Sequence, residues 1–134
     1  MDKGRILQCI TIAYQNNLAG RDILKEFSLE KIQQIYNGLG PDRFPGWLRK
    51  IITLANGLLE PAALIHDLRF DKGGTRADFT AANDEFRANC YTLVDAAYSW
   101  YDPRRYTWRF RAWRYARYCE RFGWEGYNKT EAGK

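Results

Sequence analysis

The apolar residues of this chain recur at helical rather than strand spacing. In the first segment Ile6, Ile10 and Ala13 share one face, and the pattern ends near Asn16 and Gly20. Valine and isoleucine do not alternate with polar residues over any convincing stretch, which is the pattern a half-buried strand would show. The spacing therefore predicts an all-α fold.

Capping and breaking residues divide the following part of the chain into further helices. Ser28 suits the N-cap of LEKIQQIY, and the Asn-Gly pair at 37 and 38 ends that helix before a loop. Residues 47–59, WLRKIITLANGLL, predict another amphipathic helix. Pro61 suits the first turn of the next helix, which is predicted to run to about Phe70.

Two longer helices follow the DKGG turn. Thr75 and Asp78 form a variant of the capping box at the start of the first, which the Asp-Pro pair at 102 and 103 ends. The second is a basic, aromatic helix over about 104–122, and it stops at Gly123. Because no internal repeat or long linker is present, the whole chain is predicted to form one domain.

Composition agrees with a folded chain. The sequence is 46% hydrophobic and 16% aromatic, which argues against disorder. Its three cysteines are odd in number and form no CxxC pair, so we expect a reducing compartment. The N-terminus has no recognisable signal peptide, and no run approaches the ~18 apolar residues of a membrane span. We therefore expect a soluble or peripheral protein that is synthesised in the cytoplasm.

The positive charge is concentrated in the last predicted helix. The formal net charge is +5, and residues 104–121 contain seven arginines and one glutamate. Such clustering predicts an anionic partner. The arginines that we expect to contact it are Arg109, Arg114 and Arg117.

Aromatic residues lie on both sides of this helix. Tyr106, Phe110 and Trp113 fall on one side. The residues on the opposite side are Trp108, Tyr115, Tyr118, Cys119 and Phe122. One side must pack on the domain, and the other needs a cover. A core helix with arginines over its rings, a membrane or protein surface, and a nucleic-acid surface all remain open.

His66, the only histidine, stands directly before Asp67 in EPAALIHDLRF. Neighbouring residues of a helix point about 100° apart, so this pair cannot bond well, but both can border one cavity. That arrangement suits a histidine base beside an aspartate that binds a cation. The orienting carboxylate would be Asp84, because helices joined by the short DKGG turn run antiparallel. The alternative is a histidine that is simply satisfied in the core.

The segment YNGLGP at residues 36–41 has two interpretations. It is typical of a helix C-cap followed by a proline. Its alternating glycines also permit a backbone that turns carbonyls inward, as Ca²⁺ requires, with Asp67 as an additional ligand.

Together these segments resemble the phospholipase A2 superfamily. Its calcium loop carries Tyr-x-Gly-x-Gly, and its catalytic helix carries His-Asp followed by an aromatic residue four positions after the histidine. The matching residues here are Tyr36, Gly38, Gly40, His66, Asp67 and Phe70. Pro61 and Ala62 match the Pro-Ala of bacterial and fungal members, and Asp84 falls near an aspartate of parvoviral-type members. The resemblance covers about residues 36–90 of a core predicted over about 28–100.

The resemblance implies a calcium-dependent phospholipid ester hydrolase. His66 would take a proton from water, Asp84 would hold its tautomer, and Phe70 would line the site. The implied Ca²⁺ ligands are Asp67 and the carbonyls of Tyr36, Gly38 and Gly40. Since the cytosol contains little Ca²⁺, activity would require a virion-associated or released protein.

Two other functions remain open. The chain also resembles small phage and prophage proteins, which favours a structural or interaction protein that keeps the scaffold without catalysis. The basic C-terminal helix is also compatible with a small nucleic-acid-binding domain. The oligomeric state is not indicated by the sequence.

Overall fold

A computed structural model of the protein describes residues 2–38, 57–124 and 127. Within these residues the chain forms five α-helices, one short 3-10 helix and no strand, which confirms the all-α prediction. The α-helices are α1 (Lys3–Gln15), α2 (Leu29–Gly38), α3 (Glu60–Lys72), α4 (Arg76–Ala97) and α5 (Pro103–Phe122), and the 3-10 helix is Arg21–Lys25. The helix predicted over 47–59 falls largely outside the described residues.

The helix starts follow the predicted capping chemistry. Thr75 and Asp78 form a complete capping box at α4, with N···O distances of 2.9 and 3.1 Å. The preceding helix ends at Ala97, earlier than the predicted break at Asp102 and Pro103, and Asp102 instead caps α5 by accepting a hydrogen bond from the backbone N–H of Arg104. Between α3 and α4, Gly73 and Gly74 have φ angles of 70° and 145°, which glycine adopts without steric cost. Polar caps and glycines therefore set these boundaries.

The centre of the fold is α3. All of its residues from Glu60 to Leu68 are buried, as is Phe70. It packs against α1, α2, the 3-10 helix and α4, and α5 packs against α4. A helix that is covered on every side can hold polar groups only where they find partners. His66 and Asp67 are therefore core positions of the molecule.

A smaller apolar cluster closes the C-terminal end of α3. It consists of Phe70, Phe79 and Tyr127, with Tyr118 and Trp124 packed against it. Gly123 permits this approach, because a Cβ atom there would lie 2.6 Å from the Cys119 carbonyl oxygen and 3.2 Å from the Phe70 ring. The chain after α5 thus returns to cover Phe70.

Candidate functional site

His66 lies in the middle of α3 and is only 3% exposed. Its ring centroid is 4.4 Å from that of Phe70 and 4.7 Å from that of Phe86. The predicted neighbour Phe70 therefore does border the imidazole. A second aromatic, on α4, covers the ring as well.

The polar partner of the imidazole is Asn83. The Nε2 atom of His66 is 2.8 Å from the Oδ1 atom of Asn83, and Asn83 is fully buried. Asp84, the partner predicted from the sequence, is exposed one residue further along α4. The structure therefore brings His66 together with Asn83 and not with Asp84.

Helical spacing explains this difference of one residue. Phe79, Asn83 and Phe86 are separated by four and three residues and are all buried on α4. Asp84 is turned by about 100° from Asn83 and so leaves that face. The signal that could have found Asn83 was its place between two phenylalanines on the apolar stripe.

The environment of His66 favours a neutral ring. Burial lowers the pKa of His66 to about 4, and the hydrogen bond to Asn83 opposes this by raising it. The Oδ1 atom of an amide can only accept, so the nitrogen that faces it carries the proton. With the amide placed in this orientation, Nδ1 is left with a lone pair.

Asn83 is itself incompletely satisfied. Within the described part of the chain, its Nδ2 group is buried and has no hydrogen-bond partner. A buried donor without an acceptor costs about 1–3 kcal/mol. Asn83 therefore lowers the stability of the folded chain relative to an apolar side chain of similar size at this position.

Asp67 is also buried, at 5% exposure, and it has interactions of its own. It lies close enough to α5 to act on Cys119. The pKa of the Cys119 thiol is raised mainly by burial, and the negative charge of Asp67 is the second cause. His66 and Asp67 thus meet different neighbours, as their separation around the helix predicts.

The predicted calcium ligands are only partly described. Tyr36 and Gly38 belong to the last turn of α2, where backbone carbonyls lack donors within the helix. Gly40 lies outside the described residues. No group of three or more histidine, cysteine, aspartate or glutamate side chains suited to a metal occurs in the described ranges. The described donors fall short of the six to eight oxygens that Ca²⁺ takes, so a calcium site stays a prediction.

A cavity of about 360 Å³ lies at the α3–α4 turn. Its lining includes Arg69, Lys72, Asp78, Glu85 and Tyr127, and does not include His66. Two of these residues are tied together, since Arg69 Nε is 3.1 Å from Glu85 Oε1. The Phe70 ring separates the two regions, as it contacts both His66 and Tyr127.

The two sides of α5 differ as the spacing predicts. Ala112, Ala116 and Cys119 are buried against the domain, and Trp108 and Tyr115 pack with the core. On the other side, the exposed aromatic side chains are Tyr106 (56%), Phe110 (58%) and Trp113 (45%). Phe122, predicted on the same side as Trp108 and Tyr115, is nevertheless 41% exposed at the end of the helix.

The three arginines predicted to bind an anionic surface have different surroundings. Arg109 is held by Asp95, with Nη1 2.7 Å from both carboxylate oxygens. Arg117 is exposed and lies 3.5 Å from Glu120. Arg114 is exposed and lies 2.8 Å from the Tyr118 hydroxyl. Arg109 is therefore the least available of the three for an external anion.

Compared with known proteins, the chain matches no family model, no curated relative and no solved structure. The likeness to phospholipase A2 therefore rests on the quoted motifs alone. Among the described helices, none is long and apolar enough to cross a membrane.

Proposed function

We propose that the protein is a lipid-ester hydrolase of the phospholipase A2 type in which His66 activates water. The observation that carries this proposal is the 2.8 Å contact between His66 Nε2 and Asn83 Oδ1. Because the amide oxygen accepts the Nε2 proton, it selects one tautomer and leaves Nδ1 as the basic nitrogen. Asn83 takes the orienting role that the resemblance assigned to Asp84.

The charge state supports the same role. With a pKa lowered to about 4 by burial, the imidazole is unprotonated at neutral pH and can accept a proton. General-base catalysis is most efficient when this pKa lies near the working pH. Entry of water and a polar ester reduces the desolvation of the ring and so raises the pKa towards that range.

The reaction needs no protein nucleophile. Water gives a proton to Nδ1 of His66 while its oxygen adds to the ester carbonyl carbon. The bond from that carbon to the alcohol oxygen then breaks, and the imidazolium returns its proton to the departing alcohol. Calcium, when bound at the predicted ligands Asp67, Tyr36, Gly38 and Gly40, would polarise the ester carbonyl.

Hydrolysis also requires access to the ring. His66 is 3% exposed and the described cavity does not reach it. Catalysis therefore requires a rearrangement that admits water and the ester to α3. Such opening steps are common in enzymes that act behind a lid or loop.

The test is fatty-acid release from phospholipid vesicles, with calcium and with a chelator. His66→Gln should abolish release, and Asn83→Leu should reduce it by at least about tenfold because the tautomer is no longer selected. Asp84→Asn is the matched control, since it changes an exposed neighbour and should retain most of the activity. Circular dichroism and thermal unfolding verify that each variant is folded.

Two results would contradict the proposal. One is the absence of any release by the unaltered protein in either condition. The other is full activity in folded His66→Gln. If Asp84→Asn lost activity while Asn83→Leu kept it, Asn83 would not be the orienting residue. The proposal that the protein hydrolyses lipid esters would be unaffected.

A non-catalytic scaffold or interaction protein is the second candidate function. The observation that favours it is that His66 is enclosed by Phe70, Phe86 and Asn83, as a structural core histidine would be. This function predicts no ester hydrolysis and no rise in melting temperature at millimolar Ca²⁺. Calcium binding to the native state would raise that temperature by mass action.

A further inference from the structure

The outer face of α5 carries aromatic and arginine side chains in one continuous row. We call it the aromatic–arginine face, and its residues are Tyr106, Phe110, Trp113, Arg114, Arg117 and Arg121. All six are exposed, and at 1.5 Å per residue the row extends about 22 Å along the helix.

The aromatic surface continues beyond the helix. Trp100 and Tyr101, in the turn before α5, are each 72% exposed. The hydroxyl of Tyr106 donates to the carbonyl oxygen of Trp100, which joins the turn to the helix. Phe110 and Trp113 are stacked, with centroids 6.1 Å apart. Exposed aromatic residues that are grouped in this way mark an interaction site more often than scattered ones do.

The charges of α5 are partly neutralised. Among the described residues, carboxylates lie beside Arg104, Arg105, Arg109 and Arg117. Arg114 instead lies over the rings of Phe110 and Tyr118, and Arg121 over that of Phe122. Their positive charge is not compensated by a carboxylate within the described ranges. The face therefore combines a large aromatic area with a small net positive charge.

This combination fits a lipid surface better than nucleic acid. Nucleic-acid binding depends on neutralising many phosphates and on a groove that follows the strand. Here four arginines of α5 are paired with carboxylates of the protein. The exposed aromatic rings lie on the convex outer surface of a helix and do not line a groove. Tryptophan, tyrosine and arginine are favoured at the membrane interface, where an amphipathic helix lies in the plane of the surface.

We propose that the aromatic–arginine face docks the protein on an anionic phospholipid bilayer. In this arrangement α5 lies flat on the membrane, with Phe110 and Trp113 at the boundary of the acyl chains. Arg114 and Arg121 contact lipid phosphates beside them. This docking is independent of whether His66 hydrolyses a lipid.

The experiment is co-sedimentation with vesicles made of ether-linked lipids, which contain no ester to hydrolyse. Binding should be stronger to phosphatidylcholine mixed with phosphatidylglycerol than to phosphatidylcholine alone. Phe110→Ala combined with Trp113→Ala should weaken binding to the mixed vesicles by at least about tenfold, because the apolar area buried at the interface is lost. Arg114→Gln combined with Arg121→Gln should weaken it by about tenfold and reduce its salt dependence.

Matched controls change the same chemistry elsewhere on the surface. Leu7→Ala removes an exposed apolar side chain from α1, where Leu7 is 51% exposed. Lys25→Gln combined with Lys31→Gln removes two exposed positive charges outside α5. The apolar control should bind as the unaltered protein does, and the lysine pair should lose much less than the arginine pair.

Several outcomes would overturn the docking proposal. These are equal binding to both kinds of vesicle, aromatic variants that bind as tightly as their control, and the absence of vesicle binding. The last result, together with a dimer in sedimentation that Trp113→Ala dissociates, would assign the face to a second copy of the chain. Salt-sensitive binding to a DNA oligonucleotide without vesicle binding would assign it to nucleic acid. Loss of ester hydrolysis with normal vesicle binding would reject only the proposed enzyme.

Discussion

At the scale of single residues, His66 links protonation to stability. Its pKa is lowered from 6.5 to about 4 in the folded chain by burial, whereas the unfolded chain takes up the proton near 6.5. Between these values the unfolded state binds more protons, so stability falls as the pH is lowered from 6.5 to 4. Above 6.5 the contribution of His66 is fully present, and below 4 it decreases no further.

The first prediction is a pH-dependent stability difference between the unaltered protein and His66→Gln. Between pH 7 and pH 4 the unaltered protein should lose about 3 kcal/mol more of its free energy of unfolding, at about 1.4 kcal/mol per unit of pKa shift. Urea unfolding at a series of pH values measures this difference, in which the contributions of the other titrating groups cancel. Parallel curves for the two proteins would contradict a buried, neutral His66.

The second prediction concerns the partner of the ring. Asn83→Asp places a carboxylate beside Nε2, which stabilises the imidazolium and should raise the pKa of His66 above about 4. Because the chain has one histidine, a single set of imidazole NMR signals reports the titration. Asp84→Asn is the control, and it should leave the titration almost unchanged. A larger effect from Asp84→Asn than from Asn83→Asp would contradict the observed pairing.

Residue-scale prediction from sequence succeeded where helical spacing was sufficient and failed where the rotation of a helix mattered. That His66 faces α4 follows from the short turn between α3 and α4. The choice between Asn83 and Asp84 depends on which side of α4 faces α3, a difference of about 100°. The general preference for a carboxylate beside a catalytic histidine pointed to the wrong neighbour.

At the scale of elements, the starts of α4 and α5 depend on local capping groups. At α4 the Thr75 side chain accepts from the backbone N–H of Asp78, and Asp78 accepts from the backbone N–H of Thr75. These bonds involve residues three apart, so they are visible in the sequence. The two faces of α5 are also visible in the sequence, because the spacing of its aromatic residues places them on opposite sides of the helix.

The third prediction tests the cap of α4. Thr75→Ala should lower the free energy of unfolding by about 1 kcal/mol because one backbone donor loses its acceptor. Thr80→Ala is the matched control in the interior of the same helix, where Thr80 is exposed and its hydroxyl donates to the Arg76 carbonyl. Alanine has the higher helix propensity there, so the control should be neutral or stabilising. Equal losses in the two variants would rule out a capping effect.

At the scale of the whole molecule, α1 is joined to the central helix by a partly buried ion pair. Glu60, 7% exposed at the start of α3, accepts a charge-assisted hydrogen bond from Nε of Arg5. Arg5 also donates to the carbonyl oxygen of Gly57. The Sγ atom of Cys9 is 3.7 Å from Oε1 of Glu60. The pKa of this thiol is raised to about 12, and burial is the largest cause. The network connects residues more than fifty positions apart.

The fourth prediction tests this connection. Arg5→Met leaves the Glu60 carboxylate buried without its cation and should cost about 2 kcal/mol, less than for a fully buried pair because Arg5 is partly exposed. Lys3→Met is the matched control, since the Lys3–Glu30 pair is exposed on both sides and solvent screening leaves it a much smaller contribution to stability. Chemical denaturation of both variants measures the two costs. A loss for Arg5→Met no larger than that for Lys3→Met would contradict a structural role for the partly buried pair.

The sequence by itself determined the helical class, the capped start of α4 and the two-sided character of α5, because caps and apolar spacing act over a few residues. Only the tertiary structure decided that α3 is covered on all sides, that Asn83 meets His66, and that Glu60 is neutralised by Arg5. These facts depend on how each helix is rotated and packed against distant segments, which local spacing does not specify. The same packing leaves Tyr106, Phe110 and Trp113 outside the core, where a partner can cover them.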